Sequence, residues 1–128
     1  MTSQYGQQDI NLRDGEPISI TTQAAAVTNY PIFDLTENGS RGFVSVIGGG
    51  SDRATPGVNN YTLVVLTFQV SRLAGVITAE ATLNLNISEG LGGTVAPAIV
   101  GDTIFLAIAG NALVANYDHR LKLTKIFY

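Results

Sequence analysis

Cysteine is absent from these 128 residues. That excludes disulfide staples and thiolate metal sites, so the fold must rest on its core and its neighbours. Tryptophan is absent as well, and with it the residue that sugar-binding platforms most often need. Histidine occurs once, at His119, so no multi-histidine metal centre can form. Charged residues make up 13% of the chain, about half the usual share of roughly 25%. Among the basic residues only Arg120, Lys122 and Lys125 cluster. Neutralising phosphates takes a basic stripe, so nucleic acid is not an expected partner. No apolar run approaches the length of a membrane span, so membrane insertion is not expected either. The first eight residues, Met1 to Gln8, are polar and lack a signal-peptide pattern, which predicts synthesis in a cytoplasm.

What the chain has is alternation. Ile77, Ala79, Ala81, Leu83, Leu85 and Ile87 are apolar, and Thr78, Glu80, Thr82, Asn84 and Asn86 stand between them. A period of two puts each set on one face of a strand, so 76–87 reads as a strand with one dry face. Asn60–Arg72 alternates likewise, with Val64, Leu66, Phe68 and Val70 on one side. Leu73-Ala74-Gly75 joins the two as a hairpin. Further strands are expected at 17–22, 26–36, 41–47, 95–100, 103–109, 111–117 and 120–128. Pro97 makes 95–100 an edge segment, and the doubly apolar 103–109 a central or interface strand. The fold class is therefore all-β: a single antiparallel β-sandwich, jelly-roll-like, of about eight strands and no confident helix. The core should include Val64, Leu66, Phe68, Ile77, Leu83, Leu85, Ile104, Leu106 and Leu123. The domain is expected to span 17–128, behind an extended N-terminal arm, 1–16.

The candidate sites are few. His119 follows Asp118 in an expected turn, and a lone histidine without partners is more simply a solvated residue than a base. Gly48-Gly49-Gly50-Ser51-Asp52-Arg53 lacks the Gly-Lys-Ser/Thr ending of a phosphate loop. It reads as part of a surface loop over 48–57, with Ser51, Asp52 and Arg53 as a contact loop. The carboxylates do not match the spacing of a calcium loop. The Asn-X-Ser/Thr sequences at Asn38, Asn60 and Asn86 are read as chance, given no signal peptide. Tyr5, Tyr30, Tyr61, Tyr117 and Tyr128 are the residues available to stack on a sugar. In the arm, Ile10 and Leu12 lie two apart and would point to one side if it docked as an added strand. No catalytic, metal or cofactor constellation is evident, so the chain is expected not to be an enzyme and to bind no cofactor.

The last third carries a family likeness. Gly101-Asp102-Thr103-Ile104-Phe105-Leu106-Ala107-Ile108 is followed by Gly110-Asn111-Ala112, then Tyr117, then Arg120-Leu121-Lys122-Leu123-Thr124-Lys125-Ile126. This resembles the closing strands of small β-sandwich domains in tailed-phage virion proteins: tail-fibre heads, spikes and capsid decorations. Tyr117 stands where that family often has tryptophan. The resemblance covers residues 101–126. It implies a structural bacteriophage protein, located in the virion and made in the host cytoplasm. It also implies a homo-oligomer, often a trimer, mounted on other virion proteins by its arm. A carbohydrate-binding module, with a surface glycan as partner, is the alternative reading.

Overall fold

The computed structural model describes residues 17–23, 26–52 and 60–127. These contain eight strands and no helix: β1 (Pro17–Gln23), β2 (Val27–Asp34), β3 (Arg41–Asp52), β4 (Tyr61–Leu73), β5 (Val76–Glu89), β6 (Thr94–Val100), β7 (Thr103–Ala109) and β8 (Asn116–Phe127). They form two antiparallel sheets, β1-β8-β3-β4-β5 and β2-β7-β6, packed as a sandwich and not closed into a barrel. The nested pairing of β1 with β8 and of β2 with β7 is jelly-roll-like, whereas β3, β4 and β5 follow one another as a meander. The arm, with Ile10 and Leu12, lies outside the described residues.

The core forms where alternation aims apolar side chains between the sheets. Val44 and Val46 of β3, Val64, Leu66, Phe68 and Val70 of β4, and Leu121 and Leu123 of β8 meet Ile32 and Phe33 of β2 and Ile104, Leu106 and Ile108 of β7. The central position of β7 accounts for its two apolar faces, and β6 with Pro97 is an edge strand. Between β4 and β5 the turn is Ala74-Gly75, with φ of 52° and 80°. Two positive φ values define a hairpin turn whose twist matches the strands. Asn38-Gly39 also turns, but there the chain passes from the small sheet to the large one; the Asn38 side chain accepts a bond from the Gly75 amide at 2.9 Å. Near the same end Arg72 reaches the Leu35 carbonyl at 3.0 Å and pairs with Asp102. Lys125 is buried and donates to the Ile32 carbonyl at 3.0 Å, bridging the sheets.

Four expectations need correction. First, Leu83 and Leu85 are not core: each is 42% exposed. The β4–β5 register passes from Thr67↔Leu83 to Phe68↔Ala81, so Thr82 is an extra residue. Such a bulge advances the alternation by one and reverses the faces beyond it. Ile77 and Ala79 pack against the core, while Leu83, Leu85 and Ile87 point outward. Second, Gly48-Gly49-Gly50-Ser51-Asp52 is not a loop but the far half of β3, paired on both sides. A Cβ at Gly48 would come 2.1 Å from the Arg120 carbonyl oxygen, so this close strand contact accepts only glycine. Third, the chain closes in one strand, β8, rather than two, after a turn at 110–115. Fourth, His119 lies inside that strand and is buried.

Candidate binding face

The outer face of the five-stranded sheet follows from the same alternation. Its cross-strand rows are set by register: Lys122, Ile47, Val65 and Leu85 in one; Arg120, Gly49, Leu63 and Ile87 in the next; Thr124, Ser45, Thr67 and Leu83 on the other side. Ile126 stands opposite Phe43 one row further. Ile47 is 58% exposed, Leu63 54% and Ile87 56%. With Phe43, Leu83, Leu85 and Ile126 also exposed, the face carries a continuous apolar stripe across β3, β4 and β5. Exposed apolar patches beyond a few hundred Å² mark interaction sites on soluble proteins. Lys122 and Arg120 flank this one on the β8 side and Glu89 closes its β5 end.

One end of the stripe is shaped. Gly49 has no side chain, and its row opens a hollow of about 480 Å³ lined by Ser51, Tyr61, Leu63, Asp118 and Arg120 among others. The Tyr61 hydroxyl donates to the Glu89 carboxylate at 2.7 Å. The carboxylate holds the phenol pKa above its usual value near 10, first by accepting its hydrogen bond and then by its charge. Thr21 donates to Asp118 on the opposite rim. Arg120 lines the hollow as well. An aromatic ring, an apolar wall and an Arg–carboxylate rim can hold a polar ring-shaped ligand.

On the inner face beneath this end sits a separate polar nest. The Tyr117 hydroxyl meets the Thr62 hydroxyl at 2.8 Å, which accepts from the Gly93 amide at 2.9 Å. The His119 ring lies 5.0 Å from the Tyr117 ring, centroid to centroid. It is 1% exposed, and neither ring nitrogen has a hydrogen-bond partner among the described residues. Burial pushes its pKa below the usual 6.5, with Asp118 pulling weakly the other way. At the β5 edge the Asn86 side chain bonds both the amide and the carbonyl of Val95, tying the large sheet to β6.

Of the residues singled out in the sequence, Ser51 lines the hollow. Asp52 turns away from it, its carboxylate held by the Asn60 side chain at 3.2 Å. Arg53 lies outside the described residues. Among the tyrosines, Tyr61 is exposed, Tyr30 half-buried and Tyr117 buried; Tyr5 and Tyr128 are outside the described residues. Described residues hold no cluster of three or more potential metal ligands and no helix able to cross a membrane. The apolar stripe is not evident in the sequence: Ile47 and Leu63 stand at the right parity, but unbroken alternation points Leu83, Leu85 and Ile87 inward.

No protein-family model matches the chain, and no curated protein matches it significantly. Its structural neighbours are phage tailspike proteins. One is a tailspike of the Acinetobacter baumannii bacteriophage Fri1, a capsular polysaccharide depolymerase, at 12% identity and TM-score 0.43, covering 88% of this chain and 19% of that one. Another is the tailspike of Acinetobacter baumannii phage AM24, at 12% identity and TM-score 0.47, covering 86% and 25%. A third is the tailspike of Acinetobacter phage vB_ApiP_P1, at 10% identity and TM-score 0.39, covering 100% and 26%. The chain thus spans about a fifth to a quarter of the length of these proteins. They belong to the class of tailed-phage virion proteins that residues 101–126 resemble.

Proposed function

We propose that this chain is a non-enzymatic structural domain of a bacteriophage virion, working through the outer face of its five-stranded sheet. The observation that carries the reading is the apolar stripe of Ile47, Leu63, Leu83, Leu85 and Ile87. A domain with so few charges and so much exposed branched aliphatic surface gains by covering that face. Its partners are other copies of itself and neighbouring virion proteins, with the arm bearing Ile10 and Leu12 as a second attachment. The phage assignment comes from the resemblance of residues 101–126; the mode of action comes from the stripe. The test replaces Ile47 and Leu63 together with Asp. Both side chains are more than half exposed, so the variant should melt like the native protein. It should lose self-association in sedimentation velocity and co-sedimentation with particles. If both persist in the folded variant, the stripe is not the working surface.

A second reading is favoured by the hollow beside Gly49. Tyr61, Leu63, Asp118 and Arg120 form a rim suited to a saccharide of the bacterial surface. Titration calorimetry with capsular oligosaccharide should then give heat that Arg120→Ala abolishes; no heat with the native protein ends this reading.

A further inference from the structure

β5 is the terminal strand of its sheet, and among the described residues its only ladder partner is β4. It is 14 residues long, contains no proline or lysine, and carries charge only at Glu80 and Glu89. A long edge of this kind is a template for another strand unless it is blunted. The bulge at Thr82 leaves 83–89 as one regular stretch with Leu83, Leu85 and Ile87 on the outer side and Asn84 and Asn86 on the inner side. We propose that this stretch pairs antiparallel with the same stretch of a second copy of the chain, on a two-fold axis at Leu85. The proposal deepens the docking-face reading by naming the partner and the register.

The register follows from the residues. In an antiparallel pair related by a two-fold axis, outer residues face outer residues only if the axis passes through a residue, not between two. Placed at Leu85, it sets Leu85 opposite Leu85 and Leu83 opposite Ile87, so all three apolar side chains of one copy meet apolar side chains of the other. Asn84 falls opposite Asn86 on the inner side, where Asn86 already bonds Val95 and Asn84 of its own chain, so the selectivity rests on the outer row. Shifting the axis to Ile87 would set Glu89 against Leu85, and shifting it to Asn86 would set Glu89 against Leu83. The same placement brings Glu89 of one copy opposite Ala81 and beside Glu80 of the other, so these like charges oppose the pairing and salt should strengthen it. The outcome is a ten-stranded sheet whose apolar stripe runs unbroken across both copies. Edge backbone groups in water are already hydrogen-bonded, so the net drive comes from these side chains.

The chain has no cysteine, so single substitutions report contacts cleanly. Leu85→Cys should convert under mild oxidation to a disulfide-linked dimer, because its thiol meets its own copy across the axis. Leu63→Cys, one strand inward on the same face, should stay unlinked. In sedimentation velocity at micromolar concentration, the native protein should run as a dimer and Leu85→Lys as a monomer, its association weakened at least tenfold by like charges set face to face. Linking of Leu63→Cys as well as, or instead of, Leu85→Cys would overturn the edge pairing and leave the docking face standing, as a surface that stacks. Leu85→Lys associating like the native protein would also overturn it. A native protein that is monomeric, with neither thiol linking, would remove self-association through this face altogether.

Discussion

The two halves of β5 carry the same alternation and face opposite ways. Ile77 and Ala79 rest on the core, whereas Leu83, Leu85 and Ile87, in the same parity, look into solvent. One added residue, Thr82, separates them. It is not idle: its hydroxyl meets the Thr67 hydroxyl at 2.7 Å and the Thr67 carbonyl at 3.2 Å. The first half contributes to stability and the second presents a surface. A single bulge has therefore turned one amphipathic strand into a structural segment followed by a recognition segment. Sharper forms of this contrast can be measured.

The largest difference should lie between a β4 residue that fills the core and the β5 residue just past the bulge. Leu66 is fully buried and Leu83 is not. Leu66→Ala should cost about 2–5 kcal/mol, the usual range for a truncated core leucine. Leu83→Ala should cost less than about 0.5 kcal/mol, as surface changes do. Urea melts of the two variants at low protein concentration decide it. Equal costs would put Leu83 back in a core and remove the bulge from the account.

The next effect tests the inner face where it is polar. His119 is buried neutral, so its pKa in the folded state lies below the unfolded value of 6.5. Below that value the unfolded chain binds the extra proton and the folded one resists it; stability contributed above pH 6.5 is lost as pH falls. Among the described residues the niche offers only neutral groups: Tyr117, Thr62, Gly50 and Gly93. Asp118, on the other face of the strand, is engaged by Thr21. The melting temperature should therefore drop between pH 7 and pH 5, and His119→Gln should flatten that slope. An unchanged slope in the variant would show that carboxylates, not this imidazole, govern the acid limb.

How far these features can be read from the sequence differs in the same way. Val64, Leu66 and Phe68 declared their face because nothing interrupts β4. The turn at Ala74-Gly75 and the edge placement of Pro97 were equally legible, because backbone chemistry is local. The bulge was invisible: residues 76–87 alternate without a flaw, and only pairing with Thr67 and Phe68 shows the slip. The glycines at 48–50 suggested a loop because composition favours turns, while the requirement they meet, close approach of β8, comes from the tertiary fold. His119 is legible in part: Tyr117, His119, Leu121 and Leu123 share one parity, which an expected turn at Asp118-His119 interrupts. The hollow at Gly49 joins residues from β3, β4 and β8, a grouping that no linear pattern carries.

A smaller effect should come from deleting Thr82. Removing it makes the β4–β5 pairing one-for-one while Ile77 and Leu83 keep their separate faces. The lost hydroxyl bonds to Thr67 are worth about 1 kcal/mol, as net hydrogen bonds in proteins usually are. The deletion variant should fold, and exchange of its β5 amides should still set the packed half apart from the exposed one. Unfolding of the variant would mean that the bulge's twist, and not only its parity shift, is needed for the meander to meet the small sheet.

The smallest effect lies where the exposed half of β5 ends. Tyr61 donates to Glu89 across the β4–β5 ladder, and the carboxylate raises the phenol's pKa. In Glu89→Gln the neutral amide can still accept that bond, but its charge no longer opposes the phenolate. The phenol should then titrate at lower pH, nearer the ordinary tyrosine value of about 10. Ultraviolet difference spectra in alkali, with Tyr61→Phe to assign the transition, would resolve the shift. The melting temperature at neutral pH should not move, because both groups stand in water at the edge of the sheet. If Glu89→Gln leaves the Tyr61 titration in place, the two side chains do not meet in solution. The rim of the hollow would then be looser than its geometry implies, and a saccharide would find no fixed aromatic wall there.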